Sequence, residues 1–404
     1  METVMKKSNL FNYATSELSQ DAILCWLIAH AADEKHNPGL AKAAEAFLQL
    51  MYKPYSNEEY AVEICKQYKN IDILLKLYKK TAPEIVEKYI IIEDKTFTGS
   101  HGDQINRYRN SLIAEIEGVE NKKNGPDLAK EFPKTNDKII CVYYKIVEQA
   151  HKEKNVDVEI TRTKMLNEVL LKYSEAVADN TIFKDYTEYL LSIESEVNSW
   201  EHTSLPFEKW SANMFRGFFK HLAGDPHDEI EANRNHIIGF KKEWDYGWNY
   251  VSNPNRGFWC LYWYPVNLDP LKDLMYQAFD IDCFALDEMY LQTELVKAQN
   301  NSDVAYQYVV TLKMNMGQVI KDDPHKDEKI KSVQMMAKML RDIIKPHLKD
   351  KGYGTKSLQP GRTMSVCHVA FNNVDEFKTA METMQDCVDN LLSWTKEYIE
   401  KSKK

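Results

Sequence analysis

The chain has 404 residues, of which 44% are hydrophobic and 28% charged, with a formal net charge of −9. That length buries at least one full core and suits two domains, and the acidic balance excludes a general polyanion-coating surface while leaving room for a local basic groove. No segment has the apolar length that crosses a bilayer and the first residues lack a secretory apolar run, so the expected setting is the cytoplasm, without membrane association. The seven cysteines are widely spread and none has CxxC spacing, which points to reduced thiols rather than a zinc ribbon or redox site.

Residues 16–51 carry apolar side chains at helical spacing, among them Leu18, Ala22, Trp26, Phe47 and Leu50, with a break at Asn37-Pro38-Gly39. The period then changes. Val62 and Ile64 alternate with polar residues, Lys69-Asn70 marks a turn, and Ile71-Asp72-Ile73-Leu74-Leu75 is a short apolar run, so a hairpin is predicted. A third strand is predicted at Tyr89-Ile90-Ile91-Ile92-Glu93. The glycines of residues 98–102 break it, Asp103 is placed to cap a helix, and residues 104–117 read as that helix. The polar stretch 121–137 predicts a loop or lid, residues 138–144 a fourth strand, and residues 163–175 and 182–200 two helices. The texture then shifts to alternating aromatics (Trp244, Tyr246, Trp248, Tyr250) and an aromatic strand at 257–264. Further strands are predicted near 289–296 and 363–371, and a helix over 374–399.

Polar residues stand where a sheet core calls for apolar ones. Asp72 interrupts its apolar run, and Glu93 and Lys95 close the run Ile90-Ile91-Ile92. A carboxylate inside a buried strand is costly unless paired or bound to metal. Residues 93 and 95 share one face of a strand, and neighbouring strands bring Asp72 and Glu93 to one point. Two converging carboxylates suit Mg²⁺ or Mn²⁺, a lysine beside them can steady charge developing on a phosphate, and the set answers the needs of phosphodiester hydrolysis.

Asp72 followed by Glu93-Asp94-Lys95 resembles the Asp…Glu-x-Lys signature of the PD-(D/E)XK nuclease superfamily, over roughly the first 150 residues. Gln104-Ile105-Asn106-Arg107-Tyr108 is similar to the Gln-x-x-x-Tyr element of its RecB-like branch, and Glu17 to the acid that many members add from their first helix. Ile71 stands where the family name has Pro, and Asp94 where an apolar residue is usual; alternation sends Asp94 to the opposite face. The resemblance implies Asp72, Glu93, Lys95, Gln104 and Tyr108 as catalytic residues, Glu17, Asp72 and Glu93 as metal ligands, and a nucleic acid, DNA above all, as substrate, in restriction, repair or anti-phage defence.

Blander readings stand beside these. Lys95 paired with Asp72 or Glu93 is also a structural ion pair, Glu17 also complements a helix dipole, and Gln104 and Tyr108 also suit a solvated helix face. The aromatics of 244–264 fit sheet packing better than base stacking. His101 reads as a loop residue, and His221, His227-Asp228 and His236 do not form a convincing metal set. The segment 349–357 lacks P-loop spacing.

The expected architecture is therefore α/β: a restriction-endonuclease-like core (helix, three strands, helix, strand) within residues 1–200, then an α+β domain over 201–404 suited to a regulatory partner or a homo-oligomer contact. The expected function is a Mg²⁺-dependent nuclease. The alternative is a catalytically inactive nucleic-acid-binding or interaction protein that keeps the fold.

Overall fold

Lys69 and Asn70 both adopt left-handed backbone, with φ of 50° and 69°, the pair of conformations that a tight hairpin turn requires. This turn joins β1 (Tyr60–Tyr68) to β2 (Ile71–Lys79) in antiparallel register, Tyr68 facing Ile71. β3 (Val86–Lys95) returns antiparallel to β2, while β4 (Ile139–Lys145) and β5 (Val158–Thr161) add in parallel. The computed structural model describes residues 9–14, 16–96, 103–121, 125–150, 152–223, 245–252, 257–264, 268–279, 289–298, 305–315, 324–358 and 363–402. Among these, the first sheet has the order β1-β2-β3-β4-β5. The chain divides into two compact units, Met1–Glu148 with Lys152–Asn198, and Gln149–His151 with Ser199–Lys404.

In the first unit both faces of the sheet are covered, as a sheet with parallel strands requires. α1 (Glu17–Ala29) and α2 (Pro38–Met51) bring Leu24, Ile28, Phe47 and Leu48 against Ile73, Ile90, Ile92 and Tyr144. α3 (Gln104–Glu117) makes the crossover from β3 to β4 and lays Ile105, Leu112 and Ile113 against Leu74, Ile91, Cys141 and Tyr143 on the other face. Gly118, at φ 66°, closes α3 in the left-handed conformation. Asp103 does not cap this helix; its carboxylate accepts a hydrogen bond from Asn155 Nδ2 at 3.0 Å instead.

The segment expected as a loop or lid holds two short helices, α4 (Leu128–Glu131), capped by Asp127, and α5 (Pro133–Asn136). Pro133 sits at a helical first turn, where its missing N–H is harmless. β5 extends the sheet beyond the predicted four strands. The next helical stretch runs through α6 (Arg162–Met165), a π turn at Leu166–Leu170 and α7 (Leu171–Tyr173), before α8 (Thr181–Asn198).

The second unit contains α9 (Ala212–Ala223), β6 (Asp245–Val251), β7 (Phe258–Tyr264), α10 (Asp269–Phe279), β8 (Met289–Lys297), β9 (Tyr306–Asn315), α11 (Lys326–Leu348), β10 (Tyr353–Gly354), β11 (Thr363–Phe371) and α12 (Val374–Ser402). The strands form an antiparallel sheet of order β10-β11-β9-β8-β7-β6. One face packs Trp263, Leu291, Val310, Leu312, Met364 and Phe371 into a core with Phe218, Leu340 and Phe377 from the helices. Trp248 and Trp263 are core residues, as the packing reading of the aromatics expects; Trp244, His101, His227 and His236, and the loop 98–102, lie outside the described residues. No helix among the described residues is long and apolar enough to cross a membrane. The chain is thus mixed α/β, with a mixed sheet and an antiparallel one.

Gly39, in the first turn of α2, supports a close approach: a Cβ there would lie 2.3 Å from the Ala176 carbonyl oxygen. Alanine ordinarily strengthens a helix by up to about 1 kcal/mol over glycine. Here Gly39→Ala is expected to destabilise the protein by about 1–3 kcal/mol through overpacking. A thermal melt decides the sign, and a stabilised variant would contradict the contact.

Candidate functional site

The ladder between β2 and β3 pairs Ile73 with Ile92. One step further, Asp72 stands opposite Glu93 on the same side of the sheet. Lys95, two residues beyond Glu93, leaves from that side too. Its Nζ lies 2.6 Å from Glu93 Oε1, 3.8 Å from Asp72 Oδ2 and 3.6 Å from Glu17 Oε2. Glu17 is the first residue of α1, so the helix N-terminus brings its acid to the same ammonium. Lys95 itself is buried.

Asp94 faces the other way, as alternation requires. It pairs in register with Tyr144, a residue of the core under α1 and α2. There it meets Asp21, one turn beyond Glu17 on α1 and on the same helix face. A carboxylate oxygen from each of Asp21, Asp72 and Asp94 lies within 4.8 Å of the others. Asp72, at the start of β2, therefore serves both groups. It touches Glu93 and Lys95 on one side and Asp21 and Asp94 on the other, and it accepts a hydrogen bond from the Asp94 backbone amide. Asp21 is held in turn by Gln67 Nε2 at 3.0 Å. Gln67 has a left-handed φ of 52° and sits between the ladder pairs Lys66 with Ile73 and Tyr68 with Ile71. This departure from regular strand geometry aims its amide at the site.

The carboxyls are buried beyond what their partners can satisfy. Glu93 and Asp94 are 1% and 0% exposed. Glu93 has Lys95, at 2.6 Å, and Asp72 beside it, and Asp94 has Asp21; apart from Lys95, these buried oxygens meet chiefly other carboxyl groups rather than N–H or O–H donors. Burial pushes the Glu93 carboxyl up to about 8 despite the attraction of Lys95. Burial, with Asp21 alongside, pushes Asp94 up to about 10. Burial also raises Asp72, against the pull of Lys95. Burial alone would lower Lys95, but Glu93, Asp72 and Glu17 outweigh it and hold the ammonium above its ordinary range. Crowded buried carboxyls that resist ionising are what a hard, oxygen-seeking dication relieves, and a spread of 4.8 Å is comparable to the width of such an ion's first coordination shell. The residues fit a divalent cation.

The expected metal set of Glu17, Asp72 and Glu93 is thus not the tightest group of oxygens. Asp72 is common to both sets; Glu93 adjoins it directly, while Glu17 reaches the site through Lys95. Asp21 and Asp94 had no place in the sequence reading of the metal set. The signal for Asp21 is an acid four residues after Glu17 on the apolar face of a helix; for Asp94 it is a second carboxylate in the strand that carries Glu93. Lys145 pairs in register with Lys95 and is buried, a second ammonium at the same end of the sheet. Gln104 Nε2 donates to the Tyr108 hydroxyl at 2.6 Å. Burial raises the Tyr108 phenol, which also feels the charges of Glu93, Asp72 and Lys95.

Without metal, these shifts give stability a definite pH dependence. Glu93 keeps its proton up to about pH 8 when folded but loses it near about pH 4.3 when unfolded. The folded state binds the extra proton between these values, so stability falls as pH rises through that window. In EDTA, Glu93→Gln is expected to melt above the unaltered protein at pH 8, by about 2–4 °C for each kcal/mol relieved, and the gap is expected to close toward pH 5. Calorimetry across that range checks this, and a gap independent of pH would contradict the assignment. No protein-family model matches the sequence, and neither the curated proteins nor the solved structures hold a match to it.

Proposed function

We propose that the first unit is a metal-dependent phosphodiesterase of the PD-(D/E)XK type, with a restriction-endonuclease-like core, acting on nucleic acid and foremost on DNA. One observation carries the reading: buried carboxyl groups of Asp72, Glu93, Asp94 and Asp21, more than one lysine can balance, converge beside the ammonium of Lys95. The mixed sheet with α1 and α2 on one face and α3 on the other supports it, as does the order in which Glu17, Asp72, Glu93, Lys95, Gln104 and Tyr108 occur along the chain.

Asp72, with Glu93 on one side and Asp21 and Asp94 on the other, would hold Mg²⁺ or Mn²⁺, which supplies a Lewis acid and a bound water of lowered pKa. Lys95, fixed between Glu93, Asp72 and Glu17, presents a fully charged donor to the phosphate oxygen that gains negative charge during attack. The three carboxylates around it restrict its position, so little reorganisation is needed when charge develops. Tyr108, its hydroxyl held by Gln104, stays protonated and serves as a neutral donor at the rim. Gln67 keeps Asp21 turned toward the cluster.

The test is cleavage of labelled single- and double-stranded DNA and RNA with Mg²⁺ or Mn²⁺. Lys95→Met is expected to lower cleavage at saturating substrate by about 10²–10³ while Mn²⁺ binding persists, and Asp72→Ala is expected to abolish Mn²⁺ binding in calorimetry. If Lys95 is instead half of a structural ion pair, its replacement lowers the melting temperature and leaves cleavage unchanged. That result, or equal Mn²⁺ binding by Asp72→Ala and the unaltered protein, overturns the proposal.

A further inference from the structure

The sheet of the second unit has a second face, turned away from the core formed with its helices, and that face is polar yet largely buried. One row of paired residues crosses it: Gly247, Tyr262, Gln292, Thr311, His368 and Gly354. Paired residues in adjacent strands share a face, so the row is continuous. Both ends are glycines for a steric reason. A Cβ on Gly247 would lie 2.7 Å from the Tyr262 hydroxyl, and one on Gly354 would lie 2.1 Å from His368 Nε2. The two large side chains thus lie outward over the glycines.

Tyr262 and Gln292 of this row line a pocket of about 580 Å³, within the range of roughly 300–1,000 Å³ for small-molecule sites. Its walls include the rings of Tyr262, Tyr264 and Tyr290, and its floor includes Gln292, Glu294 and Lys313. Glu294 is 3% exposed. Its carboxylate accepts from Lys313 Nζ and Lys356 Nζ, each at 2.8 Å, and from Thr311 Oγ1 at 3.1 Å. Lys356, which reaches Glu294 from beside the lining, adds a second ammonium to the Glu294–Lys313 pair, so the charge next to the floor is positive in excess. Flat aromatic walls favour a planar ring, an amide at the floor can read its polar edge, and the charge excess favours an anion over a neutral sugar.

We infer that this pocket binds a nucleotide, with its base against the tyrosines and its phosphate toward Lys313 and Lys356. The ligand is either a free mononucleotide or the terminal nucleotide of a strand, and the site is independent of the carboxylate cluster in the first unit. The experiment is calorimetric titration of the full chain in EDTA, which removes the metal chemistry from the outcome. AMP, GMP, CMP and UMP, their nucleosides, glucose and a 5′-phosphorylated DNA hexamer are the probes. At least one nucleotide probe is expected to saturate with Kd at or below about 1 mM, and its nucleoside to bind at least about tenfold more weakly. Saturation by a mononucleotide identifies a free ligand, and saturation by the hexamer alone identifies a strand end. Gly247→Ala, which drives a methyl into Tyr262, and Lys356→Met, at a partly exposed lysine, are each expected to weaken binding at least about tenfold; the second variant serves if the first fails to fold. No saturation by any nucleotide or by the hexamer, equal binding of nucleoside and nucleotide, preference for glucose, or unaltered binding by folded variants overturns the inference.

Discussion

The contact between Lys95 and Glu93, 2.6 Å long and sealed from solvent, constrains the first unit more than any other interaction. An isolated buried ammonium is too costly to keep charged, and the acids around Lys95 together keep it so, while burial holds the proton on Glu93 up to about pH 8. The ammonium also faces Asp72 and Glu17, and Asp72 faces Asp21 and Asp94. Five carboxyl groups thus gather around the end of two strands beside Lys95, and negative charge exceeds what the lysine can neutralise. The excess appears as protons held to unusually high pH on Glu93 and Asp94. A protein that carried this cluster for stability alone would gain by replacing it with apolar residues of similar size.

The fold delivers these groups with few devices. The turn at Lys69-Asn70 fixes β2 against β1, and the β2–β3 register, Ile73 with Ile92, puts Asp72 opposite Glu93. Alternation along β3 then sends Glu93 and Lys95 to the α3 face and Asp94 to the α1 face. α1 contributes two acids one turn apart, each to a different side of Asp72. The left-handed Gln67 interrupts β1 to hold the second of them. The site lies at the end of the sheet, where Asp72, the second residue of β2, is within reach of both faces.

Much of this was legible in the residues because period and punctuation agreed. The hairpin, the apolar run ending in Glu93 and the helix 104–117 each combine a clear repeat with a turn or breaker. Asp21 was not legible as part of the metal set, because an acid near a helix N-terminus reads as a complement to the helix dipole until tertiary packing shows it buried. Asp94 was read as facing away, which is true of its strand geometry. Its proximity to Asp72 depends on where the strand ends, which alternation does not encode. β9 is not legible for a related reason: its Gln307, Thr311 and Lys313 interrupt the apolar pattern, and those polar residues lie on the face that carries the second pocket.

Both sheets break the same rule, in opposite senses. In each, polar side chains sit buried where a sheet would normally carry apolar ones, and the charge balance differs between them. The first cluster sets several buried carboxyls beside one lysine, so a cation relieves it. The second sets two lysines on one carboxylate whose oxygens are all engaged; the lysines hold Glu294 ionised below its usual range in spite of burial. An anion relieves that site. Since desolvation penalises any unmatched charge, the opposite signs of the two imbalances underlie both proposals: a divalent cation in the first unit, and the phosphate of a nucleotide in the second.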